Sequence, residues 1–469
     1  MNNRDWERSG QTAKRQLPPY LVELGERLRK TKPLKLMDGS EISTAEIFEA
    51  NLEFPQKGYT HLADFPSDFT LANAFKHRYI QMDVVERTKK MREKGMPVVA
   101  SFEVFPELII GSGGTFISVM PCINEIMLAG NFAMQQEGHR FASFESCPGE
   151  PLIALWVRDG KFPVDLTVFA TSIGGDLPCI LNLLRRYPKL PLVYIDIPYN
   201  GKGKSWALEY LIEQLRAFVQ KLGEIRGAEV TDEELRNGIR MMNQMRQSYR
   251  EYVDIVASAE TPPIAGLENM IVTMCAWESG DPVAIKCATD QLNEELRERV
   301  KKGIIPPTLK EKPLKIYMCE KMPAPPVYSF VESLGGILLG PEVADSLYLC
   351  GDVDEEGDPY EAVAKWYLEE WSWSPGVNLE ERTEWTIKTA KQYNPDGVIF
   401  TGVWGCQLDP QYGRYMADKI EEKLGIPTML TVLEDIPMEV GVDGRFKIKG
   451  DLRTRIEGFV EMLKARRGE

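Results

Sequence analysis

Two stretches far apart in the chain, Asp165-Leu-Thr-Val-Phe and Asp396-Gly-Val-Ile-Phe, read alike. Each is an acid followed by an apolar, partly β-branched run. Each leads toward a glycine turn, Gly174-Gly175 in one case and Gly405-Cys406 in the other. Near-continuous apolar runs suit parallel strands buried on both faces. The same strand, turn and helix grammar surrounds both stretches. In the first half Val98–Ser101, Thr115–Met120, Leu166–Ala170 and Pro191–Ile197 are strand-like. In the second half Leu314–Met318, Ile337–Leu339, Val398–Thr401 and Ile426–Val432 are strand-like too. Helical patterns and Gly or Pro turns separate them. The grammar predicts an α/β protein with two small Rossmann- or flavodoxin-like parallel-sheet domains of about four strands each, related by internal duplication. Doubly wound units also resemble one another because the fold demands it, and the architecture is the same under either reading.

The remainder divides around these units. Residues 1–95 read as an N-terminal helical arm, 96–204 as the first α/β domain, 205–312 as an intervening helical region and 313–469 as the second α/β domain. In the arm, Leu21, Leu24 and Leu28 share a helical face. Ser67 is placed to cap a helix carrying Leu71, Phe75, Met82 and Val85. In the middle region, Trp206, Leu208, Leu211 and Leu215 keep helical spacing, and Thr231-Asp-Glu-Glu234 is a capping box. His77, Cys275, Cys287 and the Met241, Met242 and Met245 group read as packing residues. Asp352–Asp358 reads as a solvated turn.

Composition narrows the function. A net charge of −14 argues against nucleic acid as a partner. No apolar run reaches the roughly 18 residues of a spanning helix, and MNNRDWERSG lacks the apolar core of a secretory signal. Eight cysteines in 469 residues fit a reducing, cytoplasmic location and not a disulfide scaffold. Three histidines without an HExxH pair give histidine-rich zinc chemistry little support.

Two familiar motifs fail. Gly201-Lys-Gly-Lys204-Ser205 imitates a phosphate loop, but Pro198 stands where the first glycine is required. Lys202 and Lys204 remain candidate contacts for an anionic ligand. Gly111-Ser-Gly113-Gly114 ends a helix instead of opening one, and Phe116 replaces the third glycine of a dinucleotide fingerprint. A dispersed cysteine set remains. Cys122, Cys147 and Cys406 each follow a strand or a Gly/Pro turn. Cys406 lies between a strand's carboxyl end and a helix start, where a thiol tends to ionise. Its plain alternative is a small buried apolar side chain. Three thiolates in one cleft would suit a [4Fe–4S] cluster and leave one iron open. Cys179, within a helical run, and Cys319, at a strand end without a glycine turn, are weaker candidates.

Taken with Phe105-Pro106-Glu107-Leu108, Gly138-His139 running to Cys147, Pro191–Asn200, Gly397–Arg414 and Gly425-Ile426-Pro427, these features resemble the benzoyl-CoA reductase and 2-hydroxyacyl-CoA dehydratase superfamily over roughly residues 96–469. The IDIPYNGKGK stretch is most similar to benzoyl-CoA reductase catalytic subunits. The resemblance implies an iron–sulfur subunit of a low-potential enzyme that processes an acyl-CoA thioester. It implies pairing with a homologous second subunit or a second copy. A separate ATP-hydrolysing iron–sulfur activator would supply the electrons. Reductases of this kind reduce the aromatic ring; dehydratases form a ketyl radical from a 2-hydroxyacyl-CoA and eliminate water. Cys147 and Cys406 match the second and third cluster cysteines. The first has no counterpart beside Phe105, so Cys122 or an oxygen of Glu103 or Glu107 would complete the set. Alternatively the cluster is altered or absent, and the chain is a structural subunit of such a heterodimer. Glu103, Glu107 and His139 are the candidates nearest the cluster.

Overall fold

The computed structural model describes residues 17–53, 67–101, 105–118, 164–170, 191–320, 325–374, 376–403, 408–433, 438–440 and 446–469. Two four-stranded sheets dominate, and every strand pairing within them is parallel. The first holds β3 (Val98–Ser101), β4 (Thr115–Ile117), β5 (Leu166–Ala170) and β6 (Leu192–Ile195), in the order β4-β3-β5-β6. The second holds β7 (Leu314–Glu320), β8 (Gly336–Leu339), β9 (Gly397–Val403) and β10 (Thr428–Leu433), in the order β10-β9-β7-β8. Counted from the first strand of each sheet, both orders are 2-1-3-4. The α/β class and the two parallel sheets of the sequence reading are therefore present.

The register is duplicated as well. Leu166 lies opposite Val99, and Gly397 lies opposite Ile316. One residue earlier, Asp165 and Asp396 do the same work. The Asp165 carboxylate accepts the Val98 N–H at 2.9 Å and pairs with Arg92 at 2.7 Å. The Asp396 carboxylate accepts the Lys315 N–H at 2.8 Å and pairs with Arg467 at 2.8 Å. Each acid thus satisfies an amide at the start of its sheet's leading strand, Val98 in β3 and Lys315 in β7. The two arginines come from different ends of the chain: Arg92 from the Val84–Glu93 helix and Arg467 from the Gly450–Arg467 helix.

Between the sheets run four helices, Ser205–Arg226, Asp232–Ser258, Gly266–Glu278 and Pro282–Lys302. Asp232–Ser258 starts from a complete capping box, in which Thr231 and Glu234 each bond the other's backbone N–H. It crosses the short Pro106–Gly111 helix so closely that a Cβ on Gly238 would strike the backbone of Glu107 and Gly111. One hydrophobic core runs through both sheets and these helices. Leu211 and Leu215 are buried in it, whereas Trp206, on the same helical pattern, stays exposed.

The N-terminal arm carries a short strand pair beside its helices. β1 (Leu34–Lys35) and β2 (Glu41–Ile42) form a small antiparallel pair. The helix expected from Ser67 begins only at Ala74 and breaks at Asp83. Asp68 is the physical reason. Its carboxylate accepts the Thr70 N–H at 2.9 Å in a local turn and pairs with Arg299 at 2.6 Å, while its own N–H goes to Glu268. These bonds compete with a helical start. A second antiparallel pair, β11 (Met438–Val440) with β12 (Phe446–Ile448), was not expected from the sequence.

Candidate functional site

In a 2-1-3-4 sheet the chain leaves strand one toward one edge and strand three toward the other. A crevice opens at the carboxyl ends of those two strands, and open α/β sheets bind their ligands there. The first sheet places this switch point between β3 and β5, the second between β7 and β9. From β9 the chain passes Val403 and enters the Leu408–Leu424 helix. Cys406 belongs to the residues in between, which lie outside the described set, as do Cys122, Cys147, Cys179, Glu103 and His139. The segment holding Cys406 therefore joins a switch-point strand to a helix start.

At the first switch point the described chain resumes at Phe105, directly before the Pro106–Gly111 helix. Phe105 is fully buried, yet its backbone is left-handed, at φ 58 and ψ 39. For a bulky residue ahead of proline this conformation costs about 1–3 kcal/mol. Compensation comes from across the fold. The Phe105 N–H donates to the Tyr367 hydroxyl at 2.8 Å, and the two rings pack 4.4 Å apart. Glu107 is also buried, and its carboxylate meets the guanidinium of Arg246. Arg246 is 2 % exposed, donates to the Leu347 carbonyl and the Asn243 side chain, and lies 4.7 Å from the Trp366 ring. Trp366 and Tyr367 open a π-helical turn, Trp366–Glu370. Sequence reasoning missed Tyr367 and Arg246, because both act through pairings with residues far away in the chain.

Glu107 is thus the charged partner of a buried arginine. Lys202 and Lys204 lie on the turn after β6, where Asn200 and Gly203 take positive φ. The Lys202 ammonium pairs with Glu381 at 3.2 Å, and its N–H donates to the Gly376 carbonyl at 3.3 Å. Lys204 sits 6.0 Å from the ring of the exposed Trp206. The turn therefore leans on the second half of the chain, with one cation already paired.

The four described cysteines, Cys275, Cys287, Cys319 and Cys350, do not converge on a metal-binding group. Cys275 and Cys319 are fully buried within a helix and a strand. Cys287 donates to the Pro33 carbonyl. Cys350 exchanges contacts with Ser372, and burial pushes its thiol up to about 12, far from a thiolate at neutral pH. No group of three His, Cys, Asp or Glu side chains arranged for a metal occurs among the described residues. His77 is a core residue bonded to Thr289 at 3.0 Å, and burial lowers it to about 4. The acids of the 352–358 turn are mostly engaged, Asp352 with Arg250 at 2.8 Å and Asp358 with Arg216 at 2.6 Å. Among the described residues, no helix is long and apolar enough to cross a membrane.

Comparison with known families decides the affiliation. The model of the family 2-hydroxyglutaryl-CoA dehydratase, D-component, matches residues 106–463. The chain belongs to this family. As a D-component relative it falls within the benzoyl-CoA reductase and 2-hydroxyacyl-CoA dehydratase superfamily, whose members are components of enzymes acting on CoA thioesters. The match begins at Pro106, the first residue of the helix behind the Phe105 corner, and runs into the Gly450–Arg467 helix. A D-component implies a partner subunit and an activator. No curated protein matches the chain.

Proposed function

We propose that the chain is the iron–sulfur subunit of a low-potential, ATP-coupled acyl-CoA-processing enzyme of the benzoyl-CoA reductase type. The supporting observation is the placement of the Cys406 segment, which leaves a switch-point strand of the second sheet and enters a helix. The donors would be Cys147 and Cys406, with Cys122 or an oxygen of Glu103 or Glu107 completing the set. A [4Fe–4S] cluster held there would supply single electrons at very low potential. The chain's own part would be to bind the CoA thioester, exclude water and orient the acyl group. Its partner would be a homologous subunit or a second copy, and the activator a separate ATP-hydrolysing protein.

The PLVYIDIPYNGKGK stretch favours reduction of an aryl-CoA. The family match favours a second reading, a 2-hydroxyacyl-CoA dehydratase subunit. Anaerobic purification and reconstitution, followed by iron and sulfide analysis, test the shared part. About four iron atoms per chain are expected for a single cubane cluster. Cys406→Ala or Cys147→Ala is expected to abolish the cluster's EPR signal. Iron content that survives both changes rules out the ligand assignment, and iron-free protein after reconstitution points to a structural subunit. Assays with benzoyl-CoA and with a 2-hydroxyacyl-CoA separate the two reactions, since a reductase consumes electrons in proportion to product and a dehydratase releases water without net reduction.

A further inference from the structure

The corner at Phe105 is held in a form that its own sequence resists. A residue before proline avoids the helical basins, and a bulky side chain avoids positive φ. Phe105 nevertheless sits at φ 58 with its ring wholly buried. Such an outlier persists only where the surroundings over-determine it, and outliers of this kind gather at functional sites. Two distant segments hold this one. Tyr367 accepts the Phe105 N–H at 2.8 Å, and Arg246 grips Glu107 from the Asp232–Ser258 helix. Tyr367 stands in a π-helical turn, another form enriched at functional sites. All of this meets at Phe105, four residues beyond Ser101, the last residue of β3, one of the two strands that flank the first switch point.

We propose that Tyr367 is a positioning residue of that crevice, acting through the amide of Phe105 to fix the corner from which the chain enters the Pro106–Gly111 helix. The inference rests on the acyl-CoA reading above. Removing the hydroxyl leaves a buried amide without its acceptor, and the corner then relaxes toward the extended form that a pre-proline residue prefers.

Tyr367→Phe keeps the ring and removes the hydroxyl that accepts the Phe105 N–H. The variant is to be assayed in the assembled enzyme, with partner subunit and activator, on benzoyl-CoA and on a 2-hydroxyacyl-CoA. The expected result is a kcat lower by about tenfold to a hundredfold with KM within about twofold of wild type. Iron content should be unchanged, and hydrogen exchange across residues 105–111 faster. An unchanged kcat in Tyr367→Phe, or a fall that merely tracks lost iron, overturns the assignment. Wild-type protein lacking both iron and turnover sinks the acyl-CoA reading itself. An active wild type with an equally active Tyr367→Phe sinks this inference alone.

Discussion

Asp345 shows how much of this protein's polar chemistry is internal. It is fully buried, and three phenols donate to its carboxylate: Tyr317 and Tyr393 at 3.1 Å and Tyr249 at 3.2 Å. Burial pushes this carboxyl up to about 7, although the three donors pull the other way. A carboxyl whose folded value exceeds its unfolded value binds its proton more tightly when folded. Its contribution to stability is therefore full below about 3.8 and is lost as pH rises through 7. The amount is on the order of 4 kcal/mol. Asp345→Asn should remove that slope, so chemical denaturation of variant and wild type at pH 5.5, 7 and 8.5 should show the wild type losing more stability than the variant as pH rises. A parallel pair of curves would refute it. At this scale the sequence was least informative. Cys275 and Cys287 could be read as packing residues from their helical runs, and Cys319 as a strand-end residue. The surroundings of Asp345 and the Arg246–Glu107 pair could not be read, since each depends on residues brought together by the fold. Breaking that pair on one side, as in Glu107→Gln, leaves a buried guanidinium uncompensated and should cost about 3–5 kcal/mol in urea unfolding.

Elements were legible where local rules act alone. The Thr231–Glu234 box and the strands β3 and β5 follow from spacing and cap chemistry. Thr231→Ala should lower stability by about 1 kcal/mol in the same assay. The expected helix from Ser67 failed because Asp68 is committed to Glu268 and Arg299, partners that sequence periodicity does not register. Gly238 marks another tertiary demand. Gly238→Ala raises helix propensity, yet the added methyl would meet the backbone of Glu107 and Gly111. The net change should be a loss of about 1–3 kcal/mol, and a stabilised variant would show that the two helices can part freely.

For the whole molecule, the repeat seen in two short acid-led runs proved to be a repeat of topology and register. It carried the fold because buried parallel strands have a distinctive composition. The acids themselves aligned in sequence, but their task at the amide of the neighbouring strand became visible only in three dimensions. Asp165→Ala and Asp396→Ala should each cost about 1–3 kcal/mol, and a twofold difference or less between them is expected if the two clamps are equivalent. The candidate thiols were chosen by residue type and turn position alone, since Cys406 stands 259 positions beyond Cys147 and no local pattern joins them. Both clamps lie at the amino ends of the strands, and both crevices lie at the opposite ends. If ligands bind where open α/β sheets bind them, the clamps and the binding crevices occupy opposite rims of the same sheets. A breeder of sturdier variants could tighten one rim, for instance with longer-lived pairs around Arg92 and Arg467, and leave the working rim untouched.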